Sequence, residues 1–142
     1  MRKRTQAREI AFQALYQHDL HQKIENALPT TVDDFESFLT SATDDPEVRK
    51  YARILIDGTL AMRQDIDLRI TQTAKNWKLS RIAPVDRSIL RLALFEMLGS
   101  ENVPPKVAIN EAIDLAKRYS TAQSGAFVNG ILDQIYNEIR KP

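Results

Sequence analysis

Residues 83–99 read Ala-Pro-Val-Asp-Arg-Ser-Ile-Leu-Arg-Leu-Ala-Leu-Phe-Glu-Met-Leu-Gly, and this stretch decides the fold class. Apolar side chains recur all round the helical repeat after Pro84, which is typical of a helix buried among others. Proline suits a first helical position, because the amide hydrogen it lacks has no partner there, and Gly99 suits the end. The segment therefore predicts the central helix of the domain.

Helical periodicity continues toward the amino terminus. Apolar residues three and four apart predict a first helix over about residues 5–22 and a short second helix capped by Thr30-Thr31. Asp45-Pro46 predicts the next helix start, since the carboxylate accepts hydrogen bonds from free first-turn amides. An apolar stripe, which includes Tyr51, continues from there with a bend to Trp77.

The carboxyl-terminal part shows the same period. Pro104-Pro105 predicts a break before a helix whose apolar face includes Val107. A polar turn at residues 120–124 precedes a last helix, whose stripe runs from Val128 to Ile139. No alternating run predicts a strand, so the fold class is all-α with six or seven helices.

Composition limits the classes of function. The 142 residues suit one domain or two small sub-bundles, and the 43% hydrophobic content is enough for a core. The chain has no cysteine, which excludes disulfides, thiolate catalysis and cysteine-ligated zinc. Neither a signal peptide nor a membrane span is evident, so we expect a cytoplasmic protein without a membrane partner.

No residue pattern nominates a catalytic centre. His18 and His21 lack the spacing of a helical zinc site, and no nucleophile comes with a base and an orienting group. Gly125 and Gly130 have phosphate-loop spacing, but the required lysine is missing and close helix packing is the better interpretation. We therefore expect no enzyme activity, cofactor or metal.

The amino terminus is basic: Arg2, Lys3, Arg4 and Arg8 all precede the first acidic residue. Arg4 and Arg8 are one helical turn apart, so both can contact phosphates from one helix face, and Gln13 can hydrogen-bond to bases. The alternative is that a short basic terminus only aids solubility. The stretch from residue 25 to residue 47 is acidic.

Four sequence blocks in a fixed order carry a family resemblance. They are Ala-Arg-Glu-Ile-Ala-Phe-Gln-Ala-Leu-Tyr at 7–16, Val-Asp-Arg-Ser-Ile-Leu-Arg-Leu-Ala at 85–93, Pro-Pro-Lys-Val-Ala-Ile-Asn-Glu-Ala-Ile-Asp-Leu-Ala-Lys at 104–117 and Phe-Val-Asn-Gly-Ile-Leu-Asp at 127–133. Together they resemble the NusB transcription antitermination factors. The resemblance implies a single domain, 1–142, of two packed, roughly perpendicular helical bundles at about 1–80 and 81–142.

The resemblance also implies a role and its partners. The family pairs with the small-subunit ribosomal protein NusE, binds boxA RNA of nascent ribosomal transcripts and joins the RNA polymerase antitermination complex. Because Thr5 and Gln6 interrupt the usual arginine cluster, we expect strong reliance on the protein partner. Carried over by position, the RNA-binding residues are Arg2, Lys3, Arg4, Arg8, Gln13 and Phe127, and the protein-contacting residues are Tyr16 and Asp86.

Alternatives remain for individual residues and for the whole chain. Phe127 and Tyr16 can instead be core residues, and Asp86 can be a first-turn acid that stabilises its helix. The chain can also be a stand-alone module related to the RNA-binding domain of ribosomal RNA cytosine methyltransferases. A third alternative is a homodimeric structural protein.

Overall fold

A computed structural model describes residues 2–25, 32–76, 78–100 and 102–140. These residues form seven α-helices and one 3-10 turn and no strand, which confirms the all-α prediction. The predicted Thr30-Thr31 cap and Trp77 lie outside the described residues. The elements are α1 (Lys3–Glu25), α2 (Val32–Ala42), α3 (Pro46–Ala61), α4 (Arg63–Thr73), the 3-10 turn (Leu79–Arg81), α5 (Pro84–Gly99), α6 (Pro105–Tyr119) and α7 (Ala122–Arg140).

Helix α5 is the central helix that its sequence predicts. Every residue from Asp86 to Glu96 is buried, and α5 packs against α4, α6 and α7. Pro84 occupies the start of the helix and Gly99 is its last residue. The buried residues of α5 include charged as well as apolar side chains. The buried cations therefore need hydrogen-bond or ion-pair partners inside the protein.

The chain folds as two compact units, residues 1–57 and 58–142. The predicted division near residue 80 differs because α4 packs against α5 and α7 of the second unit. That both units form a single domain stays a prediction. In the first unit the buried apolar residues are Ala7, Ile10, Ala11, Phe12, Ala14, Leu15, Phe35, Leu39, Val48, Ala52, Leu55 and Ile56.

In the second unit, Phe95 covers Gly58 directly. A β-carbon at Gly58 would collide with the Phe95 ring. Gly125 also packs closely, since a β-carbon there would lie 3.2 Å from Cγ of Lys117. Gly130 does not, because no atom of another described element lies within 4 Å of the place that its β-carbon would take. The close-packing interpretation therefore holds for Gly125 alone.

Three details of the carboxyl-terminal helices differ from the sequence prediction. Val107 and Ile139 are exposed, because each lies within three residues of a helix end, where fewer neighbours cover the apolar face. The polar turn is shorter than 120–124, since α7 already begins at Ala122.

No helix in the described ranges is long and apolar enough to span a membrane.

Candidate nucleic-acid interface

The amino-terminal turn of α1 places cations where a helix disfavours them. Lys3 and Arg4 lie in the first turn, which contains no acidic residue. Because the helix macrodipole is positive at this end, cations there are mildly destabilising, and nearby acids, aromatic rings or a bound anion offset that cost. Arg2 is also exposed just before the helix.

Lys3 is balanced by acids at the start of α3. Its ammonium group donates a hydrogen bond to Glu47 Oε2 at 3.1 Å and lies 3.3 Å from Asp45 Oδ2. The hydrogen bonds to Glu47 and then Asp45 raise the pKa of Lys3. The acidic mid-chain stretch therefore reaches the basic terminus at this point, which the sequence pattern did not indicate.

Asp45 also caps α3, as its position before Pro46 predicts. Its Oδ1 accepts hydrogen bonds from the backbone amides of Glu47 at 2.9 Å and Val48 at 3.5 Å. Desolvation pushes the pKa of Asp45 upward, but these bonds and the Lys3 contact outweigh it, and the pKa is lowered. The carboxylate thus stays charged beside Lys3.

Arg4 and Arg8 share one aromatic ring on α3. The Arg4 Cζ lies 4.7 Å from the centroid of the Tyr51 ring, and the Arg8 Cζ lies 5.9 Å from it. Arg4 is exposed, whereas Arg8 is only 4% exposed. The predicted pairing of the two arginines on one helix face is present, but only Arg4 offers its guanidinium to solvent.

Gln13 and Tyr16 lie further along α1. Both side chains are half-buried. The Tyr16 ring stacks on the buried Phe12 ring, with centroids 6.0 Å apart. Tyr16 is therefore attached to the core and still presents part of its surface to solvent.

Phe127 lies in the second unit, on the second turn of α7, and its side chain is half-buried. Helix α7 begins early because Thr121 caps it: the Thr121 hydroxyl accepts a hydrogen bond from the Ser124 amide at 3.1 Å. Residues that resembled a polar turn therefore form the first turn of the helix.

Asp86 is a buried first-turn acid of α5, only 7% exposed. Its Oδ2 accepts a hydrogen bond from the Ser124 hydroxyl at 3.4 Å, and its buried Oδ1 has no partner among the described residues. Burial raises the pKa of this carboxyl, although the Ser124 bond opposes the shift. Asp86 thus joins the start of α5 to the start of α7.

The structure brings together Lys3, Arg4 and Arg8 in the first unit, and joins Asp86 to α7 in the second. Sequence reasoning missed Tyr51, because the apolar stripe of α3 accounts for it as a core position. The available signal was the spacing of Arg4 and Arg8, since two cations one helical turn apart repel each other and a shared aromatic partner offsets that repulsion. No group of three metal-ligating side chains occurs in the part of the chain that the structure describes.

Comparison with known proteins places these features in a family. The family model for the "NusB family" matches residues 5–137. Transcription antitermination protein NusB of Myxococcus xanthus is 40% identical over 143 residues, with 98% of each chain covered. The protein of that name from Chloroherpeton thalassium is also 40% identical, over 96% of this chain, but this chain spans only 63% of its length.

Comparison with a solved structure identifies the same family. A chain of the crystal structure of antitermination factors NusB and NusE in complex with dsRNA superposes with a TM-score of 0.83 and 29% identity. The match covers 97% of this chain and 98% of that one. The likeness therefore extends over nearly the whole chain.

Proposed function

Because this chain belongs to the NusB family, we propose that it is an RNA-binding adaptor in transcription antitermination. It binds boxA-type RNA together with NusE and joins the RNA polymerase antitermination complex. The activity is binding rather than catalysis. The observation that carries the proposal is the match, over nearly the whole chain, to a structure of NusB and NusE with RNA.

The charge arrangement at the start of α1 supports RNA as the ligand. An exposed Arg4 and an exposed Arg2 lie at the positive end of a helix with no acid in its first turn. Phosphate oxygens suit such a site, because arginine forks and helix amides both donate hydrogen bonds to them. Lys3 contributes less, since Asp45 and Glu47 already balance its charge.

The other predicted contacts add further chemistry to the proposal. Gln13 has polar atoms for a base edge, and the half-buried Phe127 of the second unit has a ring face on which a base can stack. Arg8 offers little surface to RNA because it is buried, and it contacts the Tyr51 ring instead. The half-buried Tyr16 is assigned to the NusE contact. Asp86, which is 7% exposed, supports that contact by joining the starts of α5 and α7. The assembly forms on the transcribing polymerase, so its location is cytoplasmic.

The test is binding to a boxA RNA and to a scrambled RNA, each with and without NusE, over a range of salt concentrations. We expect tighter binding to boxA, further tightened by NusE. Arg4→Ala should weaken binding and reduce the salt slope by about one unit, because one phosphate contact is lost. Equal affinity for both RNAs with NusE present would overturn the proposal.

A further inference from the structure

We propose that Tyr51, on α3, is a positioning residue of the RNA interface, whose ring holds the Arg4 guanidinium ready for a phosphate. The inference rests on the proposed function, because it takes the start of α1 to bind RNA. It adds a residue on a different helix, whose ring also contacts the buried Arg8.

The geometry places two cations on one ring. Arg4 and Arg8 lie with Cζ atoms 4.7 Å and 5.9 Å from the Tyr51 centroid. Like charges one helical turn apart repel each other, and the first turn of α1 disfavours cations further. The negative face of an aromatic ring attracts both guanidinium groups and offsets these costs.

The two arginines differ in how much of the side chain a ligand can reach. Arg8 is buried and has further partners, so its side chain is fixed. Arg4 is exposed, and the Tyr51 ring is its contact among the described residues. The contact with the ring requires no hydrogen-bond acceptor, so the N–H donors of the exposed Arg4 remain available to a phosphate.

The position of Tyr51 is fixed by the packing of its helix. It is half-buried on α3, and its neighbours at one-turn spacing, Val48 and Leu55, are buried in the core of the first unit. The half-buried ring is therefore anchored by the helix face that packs into the core, and its exposed part contacts the arginines. An arginine ordered in advance loses less conformational entropy when it binds, so affinity rises without a new contact.

The experiment is a double-mutant cycle on boxA RNA binding with NusE present, using Arg4→Ala, Tyr51→Leu and the combined variant. We expect Tyr51→Leu to weaken binding about threefold to fivefold, the range of an exposed cation–π contact. In the Arg4→Ala background it should have no further effect on RNA binding, because the exposed guanidinium that the ring orders is then absent and the Arg8 guanidinium is buried. Tyr51→Phe keeps the ring and should bind as the unsubstituted chain does.

A matched control comes from α7. Tyr136 lies under Arg140, with the Arg140 Cζ 5.3 Å from its ring centroid. Tyr136→Leu removes the same kind of contact far along the chain from the basic start and should leave RNA affinity unchanged. Circular dichroism and thermal melting of each variant separate a weakened interface from a disturbed helix α3.

The outcomes are distinguishable. If the unsubstituted chain does not prefer boxA RNA even with NusE, the proposed function fails. If Arg4→Ala weakens binding and Tyr51→Leu does not, the function stands and the positioning role is wrong. Additive effects of the two substitutions would also overturn that role, since they would mean that Tyr51 touches the RNA directly or acts through the fold.

Discussion

The arginines at the start of α1 and those of α5 show two uses of one side chain. Arg4 is exposed and rests on an aromatic ring. Arg87 is 2% exposed and donates hydrogen bonds to the carbonyl oxygens of Leu79 and Ile82, both at 3.2 Å. Arg91 is also buried and donates to both carboxylate oxygens of Asp67, at 2.8 and 3.1 Å.

The difference lies in which groups use the guanidinium donors. In α5 carbonyls and a carboxylate of the same unit bind them, so the charge supports the fold. At the start of α1 the ring contact uses no hydrogen-bond acceptor and Arg4 is exposed, so the charge is available to a ligand. Because all of these residues are arginines, burial and hydrogen bonding within the protein determine whether the side chain stabilises the fold or binds a ligand.

Arg87→Met should give the largest loss of stability. It removes a donor from two carbonyl oxygens near the 3-10 turn, of which that of Leu79 still accepts the Ile82 amide at 3.2 Å, and it empties a buried site. We expect the free energy of unfolding to fall by about 3 kcal/mol. Urea denaturation measures this. Arg49→Met is the control, because Arg49 donates to the carbonyl of Asp44 at the surface, and it should cost less than about 0.5 kcal/mol. Equal effects would remove the distinction between the two regions.

Arg91→Met should come next, at about 2 kcal/mol. Among the described residues it leaves the half-buried Asp67 carboxylate with only the more distant Arg63, at 3.7 Å. The comparison is Arg53→Met, which breaks exposed pairs with Glu36 and Asp57. Surface pairs contribute under about 1 kcal/mol. A larger loss for Arg53→Met in the same urea experiment would contradict the assignment.

Asp86→Asn tests the buried acid of α5. Its pKa is raised in the fold, so the native state holds this proton more tightly than the unfolded chain does. Stability therefore falls as pH rises from the ordinary aspartate value through the raised pKa. We expect the asparagine variant to be more stable than the unsubstituted chain at neutral pH and to lack this decline. Parallel stability curves for the two chains from acidic to neutral pH would show that Asp86 does not cause it.

Glu47→Gln should have the smallest effect, and on binding rather than stability. It removes the closer acid from Lys3 while Asp45 continues to cap α3, so Lys3 becomes more available to phosphate. We expect RNA affinity to rise about twofold at low salt. Glu36→Gln removes the same charge without touching Lys3. An equal rise with that variant would mean that only net charge matters.

The fold was largely predictable from periodicity and caps. Residues 83–99 predicted a buried central helix because apolar residues surround it, and Asp45-Pro46 predicted the start of α3 from its local hydrogen bonds. The start of α7 was predicted too late, because Thr121 acts as a cap within a stretch whose composition is typical of a turn. The composition of this stretch alone does not distinguish a helix cap from a turn.

The candidate site was predictable only in part, for a physical reason. Arg4 and Arg8 were identified by charge and spacing, yet their difference in exposure depends on the packing of α1 and α3, which are distant along the chain. The same holds for Lys3, whose acidic partners Asp45 and Glu47 lie on the far side of α2 in the sequence. Contacts between distant segments determine these properties, and a one-dimensional pattern does not contain them.

The contact between Gly58 and Phe95 has a consequence for how the sequence can evolve. Because the Phe95 ring occupies the space that a β-carbon at position 58 would take, a larger residue there is accommodated most readily after position 95 has become smaller. The reverse order passes through a chain with a steric clash in its core. The two positions should therefore covary across related sequences, and the change at position 95 should come first along each lineage.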